Sequence, residues 1–271
     1  MAIHPTAIIH PSAALGSQVE IGPFCIIGPH VTVGERCVLQ GHVVLERDVI
    51  LGADCQLYFG AVLGGPPQDT KYEGEQTFVR VGERNIIREY VTIHRATGEG
   101  QSTLVGDDNM IMAYCHLGHN VQMGSNILMA NSAGLSGHVV LEDRVIIGGM
   151  VGFHQYVRVG RLAMVGGYSK LTQDAPPFML VDGNPARVIG TNFRGLRRAG
   201  VTPAGRDALK QAYRMLFREN VNRGRVLAAV GEQLGEYDEV KYLLDFLSKP
   251  SYAGRRLDPL ARPAQEPEEA E

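Results

Sequence analysis

The sequence predicts an all-β parallel β-helix followed by a small α-helical domain. Three observations carry this reading. Aliphatic residues recur every six positions over most of the chain. A smaller residue recurs two positions before each of them. Beyond about residue 190 both patterns stop and a helical period takes over.

The aliphatic series begins at Ile3 and steps through Ile9, Leu15, Ile21, Ile27, Val33, Leu39, Leu45, Leu51, Leu57 and Leu63. It resumes at Val81, Ile87 and Ile93, and again from Val105 through Leu117, Leu135 and Phe153 to Leu171. The companion series is small or β-branched, as at Val19, Cys25, Val31, Cys37, Cys55, Cys115 and Val121. Two inward positions two apart define a short strand, because side chains alternate faces. Each repeat therefore holds one short strand and one corner. Three repeats close a coil of 18 residues, and the coils stack as parallel strands. Glycine follows the aliphatic position at Gly16, Gly22, Gly28, Gly34 and Gly106, near the bend where a missing Cβ helps. All four cysteines fall on the small series and read as buried hydrophobes rather than nucleophiles.

Two segments break the period. "GGPPQDTKYEGEQTF" (64–78) and "TGEGQST" (97–103) read as loops extruded from a prism that spans 1–190. The first has the composition of a functional loop. The second reads as a tolerated insertion. A helical cap is expected over 191–250. "TPAGRDALKQAYRMLFREN" (202–220) opens with Thr202 as N-cap and Pro203 in the first turn. "RVLAAVGEQLGEY" and "DEVKYLLDFLSK" read as two more helices. The Pro/Glu-rich end, 251–271, reads as disordered.

Composition excludes several classes. The chain has 271 residues and a net charge of −3, so no global field draws nucleic acid. No apolar run reaches the roughly 18 residues of a membrane span, and no signal peptide is visible. Four single cysteines without CxxC fit a reduced, cytoplasmic protein.

The coil assigns positions to the histidines. His119 lies two residues after Leu117, at a corner. Gly137 and Gln155 follow Leu135 and Phe153 by the same interval. The three therefore share one vertical edge, on coils about 4.8 Å apart. His116, His138 and His154 fall beside that edge, and His94 lies one coil below if the second loop is extruded. Scattered surface histidines would not align in this way. The edge is a candidate for chemistry. A rival is a zinc site of the β-helix carbonic anhydrase kind, since three histidines on neighbouring coils could ligate zinc. A non-catalytic trimeric scaffold is a second rival.

The motifs "IGPFCIIGPHV" (21–31), "QDTKYEGE" (68–75), "IREYVTIHRAT" (87–97), "HLGHN" (116–120), "IIGGMVGFHQ" (146–155), "TQDAPPF" (172–178) and "GNPAR" (183–187) are together specific. From about residue 3 to 248 the chain closely resembles the UDP-N-acetylglucosamine acyltransferases that begin lipid A synthesis. The resemblance implies a left-handed parallel β-helix and a homotrimer with sites between subunits. It implies transfer of an acyl group, such as a 3-hydroxyacyl group, from acyl carrier protein to the sugar 3-hydroxyl, with no cofactor beyond the thioester co-substrate. His119 is then the general base, and the Gly137 N–H the oxyanion donor. His116, His138, His154 and Gln155 match positions that bind sugar and diphosphate. Asp69 and Lys71 match a loop that closes on the nucleotide sugar. Asn192 and Arg198 match the nucleotide-contacting part of the cap. Gly167 matches the position that sets acyl length, and a glycine leaves that groove open for a long chain. The chain departs from many relatives at Asn120, where they carry Asp, at Ala199 and at Pro185.

Overall fold

The computed structural model describes residues 1–217 and 223–249. The chain winds as a triangular prism of three parallel sheets, with 11, 9 and 8 strands. The first face starts at Ala2–Ile3, the second at Ile8–Ile9, the third at Ala14–Leu15. Partners in each sheet are offset by one coil: Leu117 pairs with Leu135, and Leu135 with Phe153. The first face is longer because the antiparallel strands Met179–Gly183 and Ala186–Thr191 continue it.

The aliphatic and small series meet inside the prism and form one continuous buried column. Each buried Leu or Ile contributes about 1.5–3 kcal/mol. All four cysteines are free thiols within this column.

The corners explain the rest of the repeat. At most corners the third residue after the aliphatic position takes a left-handed backbone, as at Gln18, Asn120, His138 and Tyr156 (φ 57–69°). None of these is glycine. Left-handed backbone costs an L-residue roughly 1–2 kcal/mol. Stacking offsets it, because the N–H at that position donates to the corner carbonyl one coil away, as from His138 to His119 and from Tyr156 to Gly137. The residue just before it uses no backbone acceptor at Ser17, Gly137 or Gln155. Proline therefore fits that position, as at Pro23 and Pro29.

A missing Cβ helps at these glycines because of the neighbouring coil. Gly28 and Gly34 do not sit at the left-handed position, although Gly60 does (φ 72°). A Cβ on Gly28 would lie 1.7 Å from the Glu46 carbonyl oxygen, and one on Gly34 2.6 Å from the Ala53 nitrogen. Coils approach too closely there for any side chain. A Cβ on Gly134 would meet nothing within 4 Å. We therefore expect Gly28→Ala to lower stability by about 3 kcal/mol, and Gly134→Ala by less than about 0.5 kcal/mol. Thermal melts of the two variants read this directly; equal midpoints would refute the stacking argument.

The loop limits differ from the sequence reading. The strands Val62–Gly65 and Phe78–Val81 leave only 66–77 as the first loop. The strand Ser102–Val105 takes in the last two residues expected in the second, which starts after Thr92–His94 and covers 95–101. Thr103 points inward beside Val79, so a polar residue on the lattice hid the strand.

Four helices follow: α1 (Phe193–Arg198), α2 (Pro203–Phe217), α3 (Arg223–Leu234) and α4 (Asp238–Ser248). The Thr202 hydroxyl accepts from Gly205 N–H at 3.0 Å, as an N-cap should. Leu209, Ala212 and Leu216 of α2 pack with Val230, Leu243 and Phe178 in a second core. Helix α1 was not expected; six residues are too few to show a helical period. Residues 218–220, the expected end of α2, and the expected tail 251–271 lie outside the described residues.

Candidate active site

His119, Gly137 and Gln155 stack along the edge between the second and third faces. His119 is 7% exposed, and a Cβ on Gly137 would lie 2.3 Å from its Nε2. The ring thus lies against the Gly137 backbone, and among the described residues no acceptor takes the Gly137 N–H.

The tautomer of His119 follows from its neighbour. Asn120 Oδ1 lies 2.9 Å from His119 Nδ1. The orientation of the Asn120 amide is set by Thr97. The Thr97 N–H donates to Oδ1 at 2.9 Å, and Asn120 Nδ2 donates to the Thr97 carbonyl at 3.1 Å. The atom facing the ring is therefore an acceptor. Nδ1 carries the proton, and Nε2 keeps its lone pair. Nε2 faces Asp69, whose Oδ2 is 3.9 Å away. Asp69 Oδ1 accepts from Lys71 N–H at 3.0 Å in an Asx turn, which aims the second oxygen at the ring.

The other histidines surround this pair. His138 meets His119 edge-on at 5.1 Å and stacks on Tyr156 at 4.5 Å. His116 meets His94 edge-on at 4.8 Å, and its Nδ1 lies 2.7 Å from the Thr92 hydroxyl. Burial pushes His116 down to about 4, and the charge on His94 adds to this. Burial also lowers His94 and His138, each helped by His119; Asp69 partly opposes this at His138. These three rings are neutral near pH 7 and bring no competing charge to the corner.

A cavity of about 280 Å³ opens over His119, bounded by Gln68, His94, His116, Ser136, Gly137 and Gln155. It joins a trough of about 580 Å³ on the second face through the shared Gly134, Ser136 and Gln155. Gly134 and Gly152 floor the trough with no side chain, and His154 and Lys170 line it. His154 is exposed, with Nδ1 3.2 Å from the Gln155 carbonyl.

One chain thus brings together His116, His119, Gly137, His138, His154, Gln155 and Asp69. Lys71 is exposed on the same loop. The remaining expected residues lie elsewhere. Asn192 caps helix α1. Its Oδ1 accepts from Gly195 N–H at 3.0 Å, its Nδ2 donates to the Leu162 carbonyl at 2.8 Å, and it is 6% exposed. Arg198 is exposed in the last turn of α1. Leu162, the partner of Asn192, sits two coils beyond the coil of His119. Gly167 lies on the edge between the first and second faces. A Cβ there would first meet the Gly149 carbonyl oxygen at 3.4 Å, an ordinary contact. Among the described residues no three His, Cys, Asp or Glu are grouped to hold a metal ion.

The sequence reading missed Gln68 and the anchoring of Thr97 on Asn120. It also missed a buried ion pair beneath the first loop, in which Arg95 lies 3.6 Å from Asp48. The only signal for Thr97 was its place in a polar segment.

The comparisons agree with this geometry. A family profile described as "Udp N-acetylglucosamine O-acyltransferase; Domain 2" matches residues 174–256. An acyl-(acyl-carrier-protein)–UDP-N-acetylglucosamine O-acyltransferase of Burkholderia lata is 50% identical over 253 residues, 90% of this chain and 95% of that protein. The one from Synechocystis is 44% identical over 209 residues, 77% of this chain and 75% of that protein. The LpxA structure from Acinetobacter baumannii superposes with a TM-score of 0.87 at 35% identity, covering 90% of this chain and 96% of that one. A UDP-N-acetylglucosamine acyltransferase structure from Bacteroides fragilis gives 0.88 at 33%, with the same coverage. A coil of opposite hand would not superpose, so the prism is the left-handed parallel β-helix of these structures. With half its residues shared across nearly the full length of a relative, and with a fold that superposes over nine-tenths of the chain, this chain belongs to the UDP-N-acetylglucosamine O-acyltransferase family, LpxA.

Proposed function

We propose that the chain moves an acyl group from acyl carrier protein to the 3-hydroxyl of UDP-N-acetylglucosamine, with His119 as general base. This is the first step of lipid A biosynthesis, and the enzyme class is that of its relatives. The observation that carries the mechanism is the Nε2 lone pair of a His119 ring held at Nδ1, set against the unused Gly137 N–H.

Nε2 removes the proton from the sugar hydroxyl as its oxygen attacks the thioester carbonyl. The Gly137 N–H donates to the oxyanion that forms. Collapse breaks the C–S bond, and the imidazolium returns the proton to the carrier thiolate. No acyl-enzyme and no cofactor take part. Asp69 and Lys71 close over the sugar nucleotide, while His116, His138, His154 and Gln155 hold sugar and diphosphate.

The site is completed by a second copy of the chain in a homotrimer. Phe24, Phe59, Tyr90, Tyr114, Met150 and Tyr168 form an exposed apolar column along the edge that carries Gly167. Such a column supports subunit packing. Gly167 then lies at a subunit boundary, where an open groove admits a long chain such as 3-hydroxytetradecanoyl. Arg198 reaches the nucleotide across that boundary. Among the described residues no helix is long and apolar enough to cross a membrane. Four free buried thiols fit the reducing cytoplasm.

The test is transfer from a panel of acyl carrier protein thioesters to UDP-N-acetylglucosamine, beside His119→Ala. The variant is expected to lose about 10²–10⁴ in kcat, and the wild type to prefer the longer thioesters. A His119→Ala enzyme within about tenfold of wild type would refute the base.

A further inference from the structure

The two extruded loops are stitched to each other and then to the base. Gly98 N–H donates to Glu75 Oε1 at 3.3 Å, Gln76 N–H to Glu99 Oε2 at 3.2 Å, and Gly100 N–H to the Gln76 carbonyl at 2.9 Å. The Arg95 guanidinium lies 5.9 Å from the centre of the Tyr72 ring, within cation–π reach. The second loop is pinned in turn to the corner. The Thr97 N–H and hydroxyl both donate to Asn120 Oδ1, at 2.9 and 3.0 Å, and the Thr97 carbonyl accepts from Nδ2. The same Oδ1 accepts from His119 Nδ1. Backbone N–H groups, its own first and then those of Glu73 and Gly98, hold the Glu75 carboxyl below the usual range. Glu75 is therefore a charged acceptor at the joint between the loops.

We propose that the 95–101 loop is a tautomer clamp, coupling the docked position of the 66–77 loop to His119 through Thr97 and Asn120. The inference rests on His119 as the general base. Its physical basis is the Asn120 amide. Without Thr97 to fix its orientation, the amide can turn and offer Nδ2 to the ring. The His119 proton then moves to Nε2, and the base is lost. The loop that carries Asp69 and Lys71 thus does more than close over the sugar, because its docking keeps the lone pair of His119 aimed at the site. Glu75 is a positioning residue in this scheme, and it touches neither His119 nor Asn120.

A double-mutant cycle on the full-length enzyme tests the clamp, with UDP-N-acetylglucosamine and an acyl carrier protein thioester as substrates. Glu75→Ala is expected to lower kcat about tenfold, and to have an effect within about twofold of none once Asn120→Ala is present. Glu75→Gln keeps one acceptor for Gly98 N–H and stays within about twofold of wild type. The ¹⁵N signals of His119 shift in Glu75→Ala toward the average of the two tautomers. An equal loss from Glu75→Ala in both backgrounds would overturn the clamp, as would unchanged His119 signals. Failure of the base itself reads out separately, as a His119→Ala enzyme that keeps its rate while the ring signals of wild type still respond to Glu75→Ala.

Discussion

Gly137→Ala is expected to cost at least about 100-fold in kcat/KM while lowering stability by only about 1–3 kcal/mol. The added Cβ would stand 2.3 Å from His119 Nε2 and 2.4 Å from the adjacent ring carbon. The ring has to turn away, and it cannot do so without releasing Asn120 Oδ1. Gly137 has no left-handed backbone, so the substitution brings contact and no conformational strain. The backbone N–H also survives, which separates displacement of the base from loss of the oxyanion donor. A steady-state assay beside a thermal melt checks the claim. A folded variant with near wild-type kcat/KM would show that His119 works from another position.

Asn120→Asp is the second large expectation, and it concerns pH. A carboxylate at 120 places a negative charge against Nδ1–H, where the amide places none. An opposite charge at that distance favours the imidazolium, which holds its proton more tightly. Neutral His119 is the active form, so protonation inactivates it. The acid limb of kcat/KM therefore moves to higher pH, by about one unit or more. Aspartate also has no N–H for the Thr97 carbonyl, which now meets a carboxylate. The loop loosens, and KM for the nucleotide sugar rises. A pH profile of the two enzymes reads both effects. An acid limb that stays in place would mean that His119 does not carry the proton at Nδ1.

The prism was legible because periodicity is a strong constraint. A period of six with two inward positions leaves one arrangement for the chain, and counting 18 residues forward finds the vertical neighbour. The stacking of His119, Gly137 and Gln155 followed from that count, and Leu117 pairs with Leu135 and Phe153 as it requires. Where the lattice carried a polar residue, the reading failed. Thr103 hid a strand, and the loop limits moved. A missing Cβ was expected to help near the bend, and at Gly28 it does so because the next coil approaches closely. In α1 the chain was too short to show a period, and the capping of that helix by the Asn192 amide went unread.

Fold class, coil register, the buried place of the cysteines and the alignment of His119 with Gly137 could all be read from residue order, because each depends on spacing along one chain. The protonated nitrogen of His119 could not. It depends on Asn120, whose orientation depends on Thr97, 23 positions away in a loop that obeys no period. The same holds for the joint of Glu75 with Gly98 and for the Arg95–Asp48 pair beneath it. Such contacts join segments that leave the lattice, and only the folded chain brings their partners within hydrogen-bond distance.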